Sequence, residues 1–347
     1  MKWVCLLIAS VGFSLFAASH LPAFQILHPQ SSVPVVARAD SAHLDGAPVP
    51  PPLLRVDSAL VLIPVTVTSQ IGAPVTGLTQ DSFRVFEDRV EQKISAFYTE
   101  DAPVSVGFLL DASGSMRIKW HKTIEAASAF FQTSGPQDEF FLVEFNDRAK
   151  LVLPFTFNAD EVCAQIARSR PSGRTSLVDA IYLAVAQMKH ARYPRKALVI
   201  VSDGGDNWSR HSVREMKRAL VESDVQVYAM GIFDYDYEHN HPVEERDGPE
   251  FLDEVTSMTG GQDFVVGSVE ELPSISQRLG RELRSQYLLG YYPTDSAHDG
   301  KYRQVQVKLA IPDGQNFHTT YRHGYYRPSD QPQEPGRNRD LTEPPPQ

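Results

Sequence analysis

Short, almost continuous runs of apolar residues recur between residues 104 and 232, and they constrain the fold more than any other feature. The four runs are "VSVGFLL", "FFLVEF", "ALVIVS" and "VQVYAMGI". Runs of this length without alternation are typical of strands that are covered on both faces, as in parallel sheets. Helical patterns lie between and after them: "KTIEAASAFFQT", "ADEVCAQIARS", "SLVDAIYLAVAQMKHA", "SVREMKRALVES" and "PEFLDEVTSMTG". This alternation predicts an α/β fold, a doubly wound and mostly parallel sheet over residues 101–285.

One pair of runs departs from that alternation. "AKLVLPF" follows "FFLVEFND" too closely for a crossover helix to lie between them. Parallel neighbours need a connection of a dozen or more residues, whereas antiparallel neighbours need only a turn. We therefore expect an antiparallel hairpin at one edge of the sheet.

Segments with a period of two lie on either side of this core, at residues 55–100 and 286–327. Each contains strands with one apolar face, as in "LVLIPVTVTS" and "KYRQVQVKLA". The helices already cover the core sheet, so these faces need another partner. We predict that the two segments pair with each other into one small β domain. Pro64 cannot donate to a strand ladder, and it predicts an edge position for the first strand. "SFRVFEDRVEQKISAFYT" predicts two strands around a Glu-Asp-Arg turn.

The two ends of the chain differ from the rest in composition. Residues 1–19 combine Lys2, an apolar run and the small residues of "AAS", which is typical of a signal peptide. An uncleaved anchor is the alternative, but the run is shorter than the roughly 20 apolar residues that span a bilayer. Residues 20–54 are predicted to be a Pro/Ala-rich linker, and residues 328–347 a disordered tail. The protein is thus expected to be exported, either periplasmic or secreted, with no membrane span after cleavage.

Charge and cysteine content exclude some classes of partner and stabilisation. The chain has 33 Lys and Arg against 43 Asp and Glu, a formal charge of −10. This balance argues against nucleic acid or an anionic membrane as the main partner. Removal of the signal leaves Cys163 as the single cysteine, so no internal disulfide is expected.

Five oxygen-bearing side chains stand where predicted strands end or helices begin. Asp111 ends "VSVGFLL" and is followed at alternate positions by Ser113 and Ser115. Thr175 lies in "GRTSLVDA" and Asp203 in "SDGGDN". In a doubly wound sheet, ligands sit outside the carboxyl ends of the strands. Two carboxylates and three hydroxyls are donors suited to Mg²⁺, Mn²⁺ or Ca²⁺.

At these residues the chain resembles the von Willebrand factor type A family. "DASGSM" is similar to its D-x-S-x-S motif, "GRTSLVDA" to its threonine loop and "SDGGDN" to its distal aspartate loop. The resemblance implies that Asp111, Ser113, Ser115, Thr175 and Asp203 form a metal-ion-dependent adhesion site. The flanks resemble a bacterial exported branch of the family, over roughly residues 58–327. Arg89 stands where the turn of that branch usually carries glycine.

The chemistry of this set indicates recognition. Because three of the five donors are neutral, a bound divalent ion would keep part of its charge and attract a carboxylate from another molecule. We therefore expect a non-enzymatic, adhesion-type binding module, with Mg²⁺ as the first candidate ion and a protein partner that presents an acidic side chain. The alternative is a structural or envelope-assembly factor in which the metal mainly stabilises the fold.

Three other chemistries are weaker hypotheses. A hydrolase built on Ser113 or Ser115 needs a base, and its elbow motif is broken because Asp111 occupies the position of the first glycine. An aspartyl-phosphate mechanism at Asp111 lacks a second carboxylate as acid or base. "FDYDYEHNHPVEERD" suggests a second metal site, with these candidate ligands: Asp234, Asp236, His239 and His241. A polar rim that shapes the partner surface is the favoured role for that loop.

Overall fold

The structure is a computed structural model that describes residues 60–99, 102–233, 247–295, 297–311 and 317–327. The predicted signal peptide, linker and tail lie outside these ranges, as does the loop that carries the second candidate metal site. No helix within the described ranges is both long and apolar enough to cross a membrane.

A six-stranded sheet forms the centre of the α/β part. Its strand order is β10-β9-β8-β5-β6-β7, and every neighbouring pair is parallel except β6 and β7. The strands are β5 (Ser105–Asp111), β6 (Glu139–Phe145), β7 (Ala149–Thr156), β8 (Lys196–Ser202), β9 (Gln226–Ile232) and β10 (Asp263–Val266). The predicted fold class is confirmed, and so is the antiparallel hairpin, with β7 at the edge.

Six α-helices of the described ranges cover both faces of this sheet. They are α1 (Trp120–Phe131), α2 (Ala159–Arg168), α3 (Leu177–Met188), α4 (Val213–Glu222), α5 (Gly248–Thr259) and α6 (Leu272–Arg284). Side chains of α1, α2 and α6 share one apolar cluster with Phe108 and Leu110 of β5. Side chains of α3, α4 and α5 share another with Leu109. Alternate residues of β5 therefore belong to opposite faces, which is why the strand carries no polar side chain from Val106 to Leu110.

The segments before and after the core form two four-stranded sheets. One has the order β13-β1-β11-β4 and the other β14-β12-β2-β3. Their strands are β1 (Val61–Ser69), β2 (Phe83–Glu87), β3 (Val90–Gln92), β4 (Ile94–Tyr98), β11 (Tyr287–Tyr291), β12 (Tyr302–Leu309), β13 (Phe317–Tyr321) and β14 (Gly324–Tyr326). Both sheets contribute to one core, which includes Ile63, Val85, Tyr287 and Val307. Strands of the early segment thus pair with strands of the late one, β1 with β11 and β2 with β12.

The prediction of an edge position for β1 is wrong. β1 lies between β11 and β13. Its ladder with β13, however, begins only at Val65, whereas its ladder with β11 includes Pro64. Proline is tolerated in this interior strand because the second neighbour starts one residue later.

Two details of the β region differ from the sequence prediction. The segment from Ser82 to Thr99 forms three strands, since the chain passes from one sheet to the other at Lys93, between β3 and β4. "NFHTTYRHGYY" forms two strands, β13 and β14, in different sheets. The predicted turn is present, with Asp88 at φ 46° and Arg89 at φ 71°. Positive φ at both central residues is the geometry of a tight hairpin turn, so Arg89 occupies a conformation that glycine would adopt at lower cost.

The two four-stranded sheets and their shared core are called the β sandwich below. A close backbone contact joins the α/β part to this β sandwich. Gly260 ends α5 with φ 74°, and a Cβ placed there would lie 2.1 Å from the backbone nitrogen of Arg322. The Arg322 guanidinium donates to Leu62 O at 3.0 Å and pairs with Asp224. Glycine is needed here for both its conformation and its small size.

A buried carboxylate ties three strands of the sandwich together. Glu87 Oε2 accepts hydrogen bonds from the hydroxyls of Tyr291 and Tyr325, each at 2.8 Å. Its other oxygen pairs with Arg327, and both side chains of that pair are 4% exposed. The pKa of Tyr325 is raised to about 12, mainly by burial and to a smaller extent by its hydrogen bond to Glu87. The tyrosine hydroxyl therefore stays protonated and donates to Glu87.

Neutralising Glu87 should destabilise the protein, because Arg327 would remain buried without a carboxylate. For Glu87→Gln we expect the free energy of unfolding to fall by about 3 kcal/mol, in urea denaturation monitored by circular dichroism. Glu91→Gln is the matched control, since its pair with Arg84 is exposed. That variant should lose less than about 1 kcal/mol. Equal losses in the two variants would contradict this role for Glu87.

Candidate metal site at the switch point of the sheet

The candidate site lies where the strand order of the central sheet reverses. β6, the next strand along the chain, pairs with one edge of β5, and β8 pairs with the other edge. The helices after β5 and β8 therefore leave in different directions, and a crevice forms outside the ends of these two strands. Asp111 is the last residue of β5, and Asp203 directly follows β8.

Asp111 is buried and held from two sides. Ser202 Oγ donates to its Oδ2 at 2.6 Å, and the backbone N–H of Ser113 donates to its Oδ1 at 2.9 Å. The hydroxyls of Ser113 and Ser115 lie 2.9 Å apart. Ser113 is buried, whereas Ser115 is exposed. The turn after β5 thus brings one carboxylate and two hydroxyls together, with one hydroxyl at the surface.

Thr175 is buried, lies two residues before α3, and is fixed through its backbone. Its N–H donates to Asn207 Oδ1 at 3.0 Å. Its carbonyl accepts from the N–H groups of Asn207 and Trp208 at 3.1 and 3.0 Å. These bonds join the threonine loop to the loop that follows Asp203.

The threonine loop is also bonded to the turn after β5. Gly114 N–H donates to Gly173 O at 3.0 Å, and Ser172 N–H donates to Ala112 O at 2.8 Å. Gly173 has φ 83° and faces the Asp147 carboxylate so closely that a Cβ would lie 2.6 Å from it. Together with the bond from Ser202 to Asp111, these contacts connect all three segments in a closed ring.

Asp203 is buried beside a lysine. Lys119 Nζ lies 3.9 Å from its Oδ2 and donates to Ile232 O at 3.3 Å. Burial and the nearby Asp203 carboxylate raise the pKa of Asp111 to about 7, although hydrogen bonds from Ser113 and Ser202 act in the opposite direction. The ionised form of Asp111 is thus disfavoured beside the Asp203 carboxylate, and a divalent cation between the two would stabilise it.

The five predicted residues thus converge to different degrees. Ser113 is hydrogen-bonded to both Asp111 and Ser115, and Asp203 acts on Asp111 electrostatically. Thr175 is joined to both other segments through its loop. Within the described ranges, no group of three or more His, Cys, Asp or Glu side chains is placed to hold a metal ion. Any ion here would therefore depend on hydroxyl ligands.

Sequence reasoning missed three residues that shape the site. Ser202 bonds Asp111, Lys119 faces Asp203, and Asn207 fixes Thr175. Ser202 carries a signal that could have revealed it, a hydroxyl at the end of a buried strand directly before Asp203. Lys119 carries none, because it lies far along the chain from Asp203.

A comparison with known families agrees with this geometry. Residues 106–205 match the family model described as von Willebrand factor type A domain, VWA_2. The chain contains a von Willebrand factor type A domain. The match includes all five candidate residues and the strands that carry Asp111 and precede Asp203. Domains of this type commonly mediate protein–protein interactions.

The matches to curated relatives cover less than half of the chain. The inter-alpha-trypsin inhibitor heavy chain H2 of Sus scrofa is 27% identical over 153 residues, which are 39% of this chain and 16% of that protein. The Homo sapiens protein of the same name is 23% identical over 168 residues, 42% of this chain and 18% of its own length. The chain therefore spans less than a fifth of these relatives.

Solved structures of similar chains are more distant. The conserved hypothetical protein BatB from Bacteroides thetaiotaomicron is 20% identical, with a TM-score of 0.42, and the match covers 52% of this chain and all of that one. A von Willebrand factor type A protein from Catenulispora acidiphila is 11% identical, with a TM-score of 0.45, over 78% of this chain and 74% of that one.

The raised pKa of Asp111 predicts a pH dependence of stability in the metal-free domain. The ordinary value of 3.8 lies below the folded value of about 7, so the folded protein binds the extra proton between these pH values. The resulting stabilisation is present below the unfolded pKa and is lost as the pH rises through about 7. In EDTA, we expect wild type to lose stability relative to Asp111→Asn as the pH rises from 4 to 8, measured by urea denaturation.

The exposed residue Asp81 provides the control for this comparison. The difference in the free energy of unfolding between wild type and Asp81→Asn should stay constant over the same pH range. If the difference in the free energy of unfolding between wild type and Asp111→Asn also stays constant from pH 4 to 8, Asp111 does not titrate in this way.

Proposed function

We propose that this protein is an exported, non-enzymatic binding module that recognises an acidic side chain of a protein partner through a divalent ion. Asp111, Ser113, Ser115, Thr175 and Asp203 would hold the ion, with Mg²⁺ as the first candidate. Export is inferred from the signal-like residues 1–19. The main support is the pair of buried carboxylates beside two contacting hydroxyls at the switch point of the sheet.

The donor set fits a hard divalent cation. All five residues offer oxygen, the ligand that Mg²⁺, Mn²⁺ and Ca²⁺ prefer. When bound, the ion would supply positive charge between the carboxylates and a coordination position for an external carboxylate. Because the hydroxyls add no negative charge, the protein would leave the ion attractive to an acidic partner. Ser115, the exposed member of the set, marks the side from which the partner would approach.

The surroundings of the two serines favour binding over hydrolysis. Ser113 and Ser115 are hydrogen-bonded to each other. His121, the histidine that follows them along the chain, has an 83% exposed side chain and pairs with Glu125 at 3.1 Å. Among the described residues, no histidine is hydrogen-bonded to either serine. A serine nucleophile needs a base within hydrogen-bond reach, so this arrangement does not support one.

Exposed apolar side chains flank the site and would contact the partner. Ile118 is 95% exposed and lies three residues after Ser115. Trp208 is 48% exposed, and its backbone is bonded to Thr175. The Arg174 guanidinium lies 3.7 Å from the centroid of the Trp208 ring. Tryptophan and arginine are enriched among residues that dominate binding energy at protein interfaces. The partner is therefore expected to carry apolar groups beside its carboxylate.

The second candidate function is that of a structural or assembly factor. The closed ring of hydrogen bonds between the three loops favours it, because an ion bound there would also stabilise the folded domain. The two functions differ in whether a partner depends on the ion.

Removal of Asp111 should abolish metal binding. For Asp111→Ala we expect no heat of Mg²⁺ or Mn²⁺ binding in calorimetry, whereas Asp81→Ala should bind as wild type does. Metal should also raise the melting temperature of wild type, since an ion that binds only the folded state shifts the unfolding equilibrium. Undiminished affinity in Asp111→Ala would refute the assigned site.

Replacement of Trp208 should separate partner binding from ion binding. For Trp208→Ala we expect unchanged Mg²⁺ affinity but at least tenfold weaker retention of proteins that wild type captures from an envelope fraction in a chelator-sensitive manner. Tyr292→Ala is the control, because Tyr292 is similarly exposed on the β sandwich. Captured proteins that are insensitive to chelator and to Asp111→Ala would favour the structural function instead.

A further inference from the structure

A groove of about 1120 Å³ lies between α4 and the β sandwich. None of the five proposed metal ligands lines it. Its walls come from α4, the start of β8, the first residues of β1 and the chain from Arg322 to Arg327. It is therefore a second candidate site, built from elements of both parts of the protein.

One face of α4 supplies the cations of the first wall. Arg214, Lys217 and Arg218 are three and four residues apart, so they lie on the same side of the helix, and all three line the groove. Met216 and Leu220 are buried in the core beneath the central sheet. The helix is thus held by its apolar residues, and its basic residues face the groove.

The remaining basic residues of the groove lie outside α4. They are Lys196, Arg322 and Arg327. Six basic side chains therefore line one groove, together with three acidic ones, Glu222, Asp224 and Asp299. The lining has an excess of three positive charges in a chain whose formal charge is −10. Clustered like charges repel one another and attract anions.

Only part of this positive charge is compensated. Four of the basic side chains have carboxylate partners, in the pairs Lys217–Glu254, Arg218–Glu222, Arg322–Asp224 and Arg327–Glu87. Lys196 and Arg214 form no ion pair with any described residue. These two, on different elements, are the side chains most available to a negatively charged ligand.

The groove also has apolar lining. Leu62, Pro64 and Leu288 of the β sandwich contribute to it, and so does Met258 of α5. Leu62 and Pro64 alternate with the core residues Val61, Ile63 and Val65, which places them on the outer face of their sheet. A compact anion such as phosphate would use the charges but leave this apolar lining and most of the volume unfilled.

We propose that this groove binds an acidic peptide segment in which carboxylate side chains alternate with apolar ones. Carboxylates of the segment pair with Lys196 and Arg214, and its apolar side chains cover Leu62, Leu288 and Met258. The distribution of charge along more than one wall fits an extended chain better than a single anionic group. The site is independent of the proposed cation site.

The probe is a fluorescein-labelled ten-residue peptide of alternating Glu and Leu, titrated into the full-length protein and followed by anisotropy. We expect saturable binding that weakens with added NaCl, because salt screens exposed charges. Lys196→Ala with Arg214→Ala should weaken binding at least tenfold. Arg148→Ala with Lys189→Ala is the matched control, since it removes the same charge from exposed positions outside the groove, and it should change affinity less than twofold.

Further arms distinguish other anionic ligands. A peptide with Lys in place of Glu should not bind. Inorganic phosphate at 10 mM, or vesicles of anionic phospholipid, should not displace the acidic peptide from the groove. Thermal melting and Mg²⁺ calorimetry establish that the groove variant is folded. The proposal is overturned if the groove and control variants lose affinity equally, if the acidic peptide does not bind, or if phosphate or the vesicles bind in a way that Lys196 and Arg214 control.

Discussion

The burial of the Asp111 carboxylate at the end of the central strand is the constraint on which the candidate site depends. A carboxylate in this position is costly unless its oxygens are hydrogen-bonded. Ser202 and the backbone of Ser113 satisfy it, and in doing so they fix the end of β8 and the turn after β5 relative to each other. The threonine loop closes the ring through Gly114, Gly173 and Asn207. Hydrogen bonds thus join three loops that lie far apart along the chain.

The β sandwich depends on a comparable buried carboxylate. Glu87 lies on β2, and its hydroxyl and guanidinium partners come from β11, β14 and the residue after β14. These contacts join residues more than 200 positions apart, so the sandwich forms only when the late segment has returned to the early one. The apolar faces supply the bulk of the core, and the Glu87 cluster adds buried polar contacts between β2, β11 and β14.

Sequence patterns determined the α/β part well because its signals are local. Continuous apolar runs identified β5, β6, β8 and β9, and Asp111 and Asp203 were placed from the strand ends that carry them. The edge position predicted for β1 from Pro64 was wrong, because the start of a neighbouring strand decides which residues of β1 have two partners. The division at Lys93 was missed for a related reason, since only tertiary pairing shows that β3 and β4 belong to different sheets. No helix was assigned to "LPSISQRLGRELR", which the structure shows to be α6 with Leu272, Leu279 and Leu283 in the core.

The groove could not have been predicted, because the residues that line it are ordinary surface charges in the sequence. Arg214, Lys217 and Arg218 indicate a solvated helix face until the sandwich is placed opposite them. α4 is capped by Ser212, and the preceding residues Arg210 and His211 donate to Asp179 of α3. One helix is therefore fixed at its start by the loops around the ion site and presents its basic face to the groove. Because the loop that begins at Asp203 leads into this helix, a loss of peptide binding is attributable to the groove charges only when ion binding is unchanged in the same variant.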